Sequence, residues 1–277
     1  MSKLMPIIEL NQEINMKIAV VKISGKTIGE FVSSNLWIKI IQKLYIDFEG
    51  IIIVHGAGKN ISEWSEKLGH QTDFINGQRV TSSGQMEVVA AVQAGLINSQ
   101  LIAKLNSSNF ESIGLSGIDR NTFIANYLDK NLGFVGKPEL SGSVNWIIEL
   151  LQDGIIPVFS SVCRDNQGNL MNVNADLFTE TLSLAIKADS VFFVSDVEAV
   201  KLNGFNVRTL TEDEIINGIV EGQITDGMIP KLKSCIELLK MGINRIWIGS
   251  KISLDQNING TWIITKSESD YGKVSIA

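Results

Sequence analysis

The chain reads as an α/β protein, a three-layer αβα sandwich on a mainly parallel central sheet. Three observations predict this. Short runs rich in Ile, Val and Phe recur at Lys17–Ile23, Gly50–Val54, Ile155–Ser160 and Ser190–Val194, and they lack the alternation of a half-exposed strand. Amphipathic stretches of helical length separate them. Glycine turns close two of the runs, at Ser24-Gly25 and His55-Gly-Ala-Gly58. Strands that alternate with helices in this way pair in parallel, with helices covering both faces.

Taken in order, Met1–Asn15 shows no clear periodicity and is expected to form a short arm or an oligomer contact. The strand Lys17–Ile23 precedes a helix over Ile28–Tyr45, and the strand Gly50–Val54 runs into a helix after Gly58. Phe74–Thr81 predicts a hairpin or loop, and Gln85–Leu105 a long helix. Ser112–Leu115 is a strand, and Thr122–Tyr127 with Gly133–Gly136 predicts a hairpin. A helix over Val144–Asp153 leads to the strand Ile155–Ser160. The remainder predicts helices at Asp176–Lys187, Thr211–Val220 and Asp226–Met241, and strands at Ser190–Val194, Arg245–Ile248 and Trp262–Thr265.

The 277 residues are 44% hydrophobic and 19% charged, which is the balance of a globular protein with a substantial core. A net charge of −6 with no basic run argues against nucleic acid as a partner. Cys163 and Cys235 have no metal-ligand spacing and read as reduced thiols of a cytoplasmic protein. No apolar run approaches the roughly 20 residues of a bilayer span, so no membrane partner is expected. His55 and His70 are the only histidines, and no zinc site or histidine relay is expected from them.

Ligands of open α/β sheets bind at the carboxyl ends of strands, so the loops there carry the interest. Lys22 interrupts an apolar strand just before Gly25, which costs free energy unless its ammonium meets an anion or lies on an edge strand facing water. His55-Gly-Ala-Gly58 joins a strand to a helix N-terminus, a place that suits an anionic oxygen but also a plain steric turn. In MNVNADLFTE, Asn172, Asn174 and Asp176 alternate along an extended segment and Asp176 opens a helix, either as a polar face or as a cap. Lys231 falls near the start of the helix after TDGMIP, where the macrodipole disfavours a cation unless an anion is near. Two separated lysines, a glycine loop and one carboxylate point to phosphoryl transfer, with the lysines neutralising charge on the transferred group and the aspartate holding them. An acceptor that is already a carboxylate needs no histidine base.

The ordered set VKISGK, IIIVHGAG, NGQRVT, GLSG, LGFVGKPE, GNLMNVNAD, SDVEAV and TDGMIPK resembles the N-acetylglutamate kinases of the amino acid kinase family, over roughly Lys17 to Met241. The resemblance implies the amino acid kinase fold and ATP-dependent formation of an acyl phosphate on an acylated glutamate, in arginine biosynthesis. Lys22 and Lys231 match the family's transition-state lysines, and Asp176 the aspartate that organises them. Arg79, Asn172, Asn174, Ala57 and Gly58 match positions around the acylated amino acid. Gly25, Asp196, Val197, Glu198, Ala199, Val200, Lys201, Gln223, Ile224 and Thr225 match positions around ATP. Magnesium is expected to travel on the nucleotide phosphates. The resemblance divides the chain into an amino-acid-binding and dimerising lobe, residues 1–170, and an ATP lobe, residues 171–277. It implies a homodimer, and the short, weakly patterned Met1–Asn15 suggests one without arginine feedback.

Ser24 and Ala57 stand where glycine is usual in the family, and Glu198 and Ala199 also depart from its pattern. A methyl at Ala57 is expected to narrow the loop and to resist positive φ. These departures open the acyl group to question, with N-succinylglutamate or N-acetylaminoadipate as alternative acceptors. A nucleotide-binding regulatory protein without turnover is the rival from another class, and retention of all three catalytic positions speaks against it.

Overall fold

The computed structural model describes residues 16–25, 27–224, 227–250, 252 and 260–266. Met1–Asn15, Thr225 and Asp226 lie outside the described residues, so the expectations for the arm and for Thr225 fall there too.

The chain runs through β1 (Ile18–Ile23), α1 (Ile28–Ser33), α2 (Leu36–Asp47), β2 (Gly50–His55) and α3 (Gly58–Lys67). A small hairpin, β3 (Phe74–Ile75) with β4 (Gln78–Arg79), precedes α4 (Ser83–Val89) and α5 (Asn98–Asn106), which a π-helical segment, Ala90–Ile97, joins into one rod. Then come β5 (Ser112–Ser116), β6 (Phe123–Tyr127), β7 (Val135–Leu140), α6 (Asn145–Gln152), β8 (Ile156–Ser160), β9 (Val162–Arg164) and β10 (Leu170–Val173). The rest comprises α7 (Ala175–Ala185), β11 (Ser190–Val194), β12 (Lys201–Leu202), β13 (Phe205–Asn206), β14 (Thr209–Thr211), α8 (Glu212–Val220), α9 (Ile229–Lys240), β15 (Arg245–Gly249) and β16 (Gly260–Ile264).

Eight strands form one sheet in the order β14-β16-β15-β11-β1-β2-β8-β5. All pairs are parallel except β15 with β16. The three-layer αβα reading therefore holds, with an antiparallel step near one edge. β6, β7, β10 and β9 make a second, four-stranded sheet.

The central strands are buried on both faces, which explains their unbroken apolar runs. Ile18, Val20, Ile52, Val54, Val191 and Phe193 point into one core layer with α6, α7 and α9. Ala19, Val21, Ile23, Ile51, Ile53, Phe192 and Val194 point into the other, with α1, α2 and the long rod. Phe178 of α7 packs edge-on to Phe123 at 5.1 Å and against Phe159 at 5.8 Å, all fully buried. Each such side chain contributes about 1.5–3 kcal/mol of burial, so the start of α7 has a firm seat on the sheet.

The single helix expected over Ile28–Tyr45 is two. Ser34 is extended (φ −120°, ψ 160°) and its hydroxyl accepts from the Leu36 backbone N–H at 3.3 Å, so the chain breaks and restarts there. The rod Ser83–Asn106 is long and apolar enough to cross a membrane by length and composition, which corrects the reading that no stretch approaches that length. Here it packs into the second core layer, and its buried Gln93 and Asn98 bond to the sheet.

Candidate active site

β1 lies between β11 and β2, so Lys22 belongs to a central strand and the edge-strand alternative falls away. By the two-residue period Lys22 shares the face of Ile18 and Val20, the face on which α7 packs. Only 8% of Lys22 is exposed, and its ammonium reaches Asp176 Oδ1 at 2.7 Å.

Asp176 owes its place to a strand-to-helix switch one residue long. The extended segment expected through Asp176 ends at Val173, and α7 begins at Ala175. Between them Asn174 (φ −60°, ψ 128°) is the N-cap, with Oδ1 accepting from the backbone N–H groups of Asp176, at 2.7 Å, and Leu177. Asp176 therefore stands in the first helical turn, where the macrodipole favours a carboxylate. Burial alone would push its carboxyl up, but the Lys22 and Lys231 ammoniums reverse that and hold it below the usual aspartate value.

Lys231 is the third residue of α9, with Pro230 before it in the first turn, where proline is tolerated. Its ammonium lies 4.0 Å from Asp176 Oδ2 and 5.5 Å from the centre of the Phe193 ring. Phe193 is the register partner of Lys22 on β11. The two lysines thus converge on one carboxylate over one sheet face, Lys22 directly from β1 and Lys231 from α9 across the ring of Phe193 on the adjacent strand β11. The side chain of Lys231 is 22% exposed.

A cleft of about 240 Å³ opens beside this trio, lined among others by Lys22, Gly25, Ala57, Gly58, Arg79, Asn172, Asn174 and Asp176. Arg79 is presented by the β3–β4 hairpin, whose turn places Asn76 and Gly77 at positive φ, the conformation a two-residue hairpin needs. Its guanidinium lies 4.9 Å from the ring of its register partner Phe74. It donates to the Gly58 carbonyl at 2.8 Å, to Ser62 Oγ at 2.7 Å and to Thr72 Oγ1 at 3.3 Å. Ala57 has φ −145°, so its methyl meets no positive-φ penalty and the strain expected there is absent. Gly25 does need to be glycine: a Cβ would stand 2.9 Å from the Gly58 nitrogen.

A second cleft, of about 350 Å³, is lined by Val197, Ala199, Val200, Lys201, Ile224, Gly227 and Met228. Of the positions expected to surround a nucleotide, five line this cleft. Gly25 lies in the first cleft instead. Asp196 and Glu198 are exposed, and neither they nor Gln223, which donates to Glu221 at 2.5 Å, line it. Thr225 lies outside the described residues.

Sequence reasoning gave no role to several residues of the first cleft. Gln93 lines it from the π-helical segment, a local widening often found at functional sites, and donates to the His55 carbonyl at 3.1 Å and Ser161 Oγ at 2.8 Å. Ser161 Oγ in turn donates to the Val173 carbonyl at 2.6 Å. The signal for Gln93 was a lone amide in the apolar run Ala90–Ile97. Ser161 carried no signal at all. His55 is fully buried and accepts from Asn98 Nδ2 at 3.0 Å; burial, opposed only by a backbone contact at Gly56, lowers its pKa to about 4.

The model of the amino acid kinase family matches residues 17–250. The chain belongs to the amino acid kinase family. Among its relatives, the acetylglutamate kinase of Endomicrobium trichonymphae is 36% identical over 216 residues, spanning 78% of this chain and 86% of that protein. The acetylglutamate kinase of Bacillus pumilus (strain SAFR-032) is 31% identical over 261 residues, spanning 91% and 98%. The crystal structure of smu.665 from Streptococcus mutans UA159 superposes with a TM-score of 0.75 at 28% identity, covering 89% of this chain and 98% of that one. Within this family frame, Lys22, Asp176 and Lys231 sit at the carboxyl ends of the central strands β1, β2 and β11, where open α/β sheets bind ligands.

Proposed function

We propose that this member of the amino acid kinase family phosphorylates the γ-carboxylate of N-acetyl-L-glutamate with ATP, an early step of arginine biosynthesis. The observation that carries the reading is Asp176 held between Lys22 at 2.7 Å and Lys231 at 4.0 Å at the mouth of a cleft that also presents Arg79 and Asn172. The acetylglutamate kinases that align over most of the chain support the choice of substrate.

In this reading an acceptor carboxylate oxygen bonds to the γ-phosphorus of ATP while the bond from that phosphorus to the β,γ-bridging oxygen breaks, and ADP leaves. The acceptor is already ionised, so no proton has to move, and the chain's task is charge neutralisation and alignment. Lys22 and Lys231 neutralise the oxygens of the transferred group and the leaving ADP, and Asp176 keeps the two ammoniums from drifting apart. Arg79 offers a planar fork to the acceptor's other carboxylate. The second cleft, apolar around Val197, Ala199, Val200 and Ile224, suits a nucleobase. Magnesium belongs on the phosphates and supplies further charge neutralisation there; among the described residues no group of three His, Cys, Asp or Glu is placed to hold it.

Residues 1–170 then form the amino-acid lobe and the dimer contact of a homodimer, and 171–277 the ATP lobe. The thiols of Cys163 and Cys235 are free and buried, with Cys163 pushed up to about 12, which suits a reducing cytoplasm. Trapping with hydroxylamine and Mg-ATP tests the reaction. A hydroxamate from N-acetylglutamate supports it, and one from N-succinylglutamate or N-acetylaminoadipate alone moves the proposal to that acceptor. ATP binding with no hydroxamate from any acceptor overturns it.

A further inference from the structure

Lys22 and Lys231 are not held alike. Lys22 touches Asp176 at 2.7 Å from a strand fixed on both sides, whereas Lys231 stands off at 4.0 Å on a helix. What sets the reach of Lys231 is therefore the spacing between α7, which carries Asp176, and α9. One turn further along each helix a second polar pair spans the same gap. Glu180 lies four residues after Asp176, Ser234 lies three after Lys231, and those intervals put each on the same helix face as its predecessor. The Ser234 hydroxyl donates to Glu180 Oε1. The pair is half-buried beneath the catalytic trio, where a carboxylate costs free energy unless it has a function or a firm partner. Burial raises the Glu180 carboxyl and Asp176 adds to this, while the Ser234 hydroxyl, Lys137 and Lys231 oppose it.

We propose that Glu180 is a positioning residue for Lys231: its hydrogen bond with Ser234 locks α9 to α7 one turn beyond the Asp176–Lys231 pair and so fixes where the Lys231 ammonium meets the transferred phosphoryl group. The lock is a second rung on a ladder whose first rung is catalytic. It rests on the phosphotransfer reading above, and it assigns the acidic end of MNVNADLFTE, which that reading leaves unused.

The test is steady-state kinetics of the full chain with Mg-ATP and N-acetylglutamate, with wild type measured first. A wild type without turnover on N-acetylglutamate, N-succinylglutamate or N-acetylaminoadipate removes the phosphotransfer reading and the lock with it; turnover on one of them leaves the variants, measured with that acceptor, to judge the lock alone. Glu180→Leu and Ser234→Ala each lower kcat about tenfold with the KM of both substrates unchanged, as expected when a group is misplaced by a fraction of an ångström. Glu180→Gln keeps an oxygen for the Ser234 hydroxyl and restores kcat to within about twofold of wild type. The double variant Glu180→Leu/Ser234→Ala is no slower than the worse single one, because both remove one bond. Wild-type kcat in Ser234→Ala overturns the lock, as does a Glu180→Gln variant as slow as Glu180→Leu, which transfers the role to the charge. Ser234→Ala removes one oxygen from a half-buried site, so it keeps the test decisive where Glu180→Leu fails to fold.

Discussion

Asn172 and Thr81, 91 residues apart, share a hydrogen bond of 3.0 Å whose direction the structure fixes. The single hydroxyl proton of Thr81 goes to the Arg79 carbonyl at 3.1 Å, so Thr81 Oγ1 must accept, and the amide nitrogen of Asn172 must face it. One buried threonine thus orients both the arginine and the asparagine proposed to hold the acceptor. Thr81→Val keeps the shape and removes the acceptor. It is expected to cost ~1–2 kcal/mol of acceptor binding, roughly a 5- to 30-fold rise in the KM for N-acetylglutamate, with the KM for ATP unchanged. Initial rates against each substrate check this, and an unchanged acceptor KM counts against Thr81 as the organiser.

Lys231→Ala is expected to lower kcat by about 10²–10³ and leave the thermal midpoint near that of wild type, because the removed charge acts on the transition state. Lys22→Ala should slow turnover as much but also shift the midpoint, since Lys22 is buried where Lys231 is not. Kinetics and thermal melts on the same samples separate the two. Near-normal turnover in Lys231→Ala removes that residue from the mechanism.

The pH dependence of stability should have two sources in distinct windows. Folded His55 refuses a proton until about pH 4, whereas the unfolded chain takes one near 6.5. Unfolding therefore binds a proton in between, and stability falls as pH drops from 6.5 to 4, by ~3 kcal/mol in all. His55→Asn should flatten that part of the curve. Asp176 is depressed below its ordinary 3.8, so its contribution is present above that value and is lost only as the pH falls further, through the folded pKa. Urea unfolding from pH 3 to pH 7 of wild type, His55→Asn and Asp176→Asn resolves the two.

Gly25 and Gly58 lie close together in the lining of the first cleft but should respond differently to alanine. At Gly25 the new methyl meets backbone at 2.9 Å, and one of two strand-end loops must move; at Gly58 nothing lies within 4 Å. Gly25→Ala is expected to destabilise by ~1–3 kcal/mol and to impair turnover. Gly58→Ala should leave the melting curve unchanged. Equal midpoints for the two variants would show that the close approach of the loops is not required.

The sheet was legible because burial on both faces leaves no alternation to misread, as in Gly50–His55 and Ser190–Val194. The hairpin of β9 and β10 was not, because its strands are three and four residues long and its turn depends on Asp165, whose carboxylate accepts from the backbone of Gln167 and Asn169. The break at Ser34 is equally local, one hydroxyl outbidding the helix for a backbone N–H. In the site, lysines and an aspartate in apolar surroundings declare themselves through the cost of their burial. Thr81 and Glu180 look ordinary in sequence. Their meaning comes from partners 91 and 54 residues away, which no local pattern encodes.

The capped step from Asn172 to Asp176 gives five residues of backbone two masters. Asn172 lines the cleft proposed for the acceptor, Asn174 pins the turn, and Asp176 pairs with the lysines. An acid whose carboxylates are spaced one methylene too far apart would pull on the same lever that aims the ammoniums. On the proposed mechanism, selectivity among acceptors should be expressed as a slower chemical step in a filled site, so that poor substrates would behave as occupants that stall the enzyme more than as visitors it fails to admit.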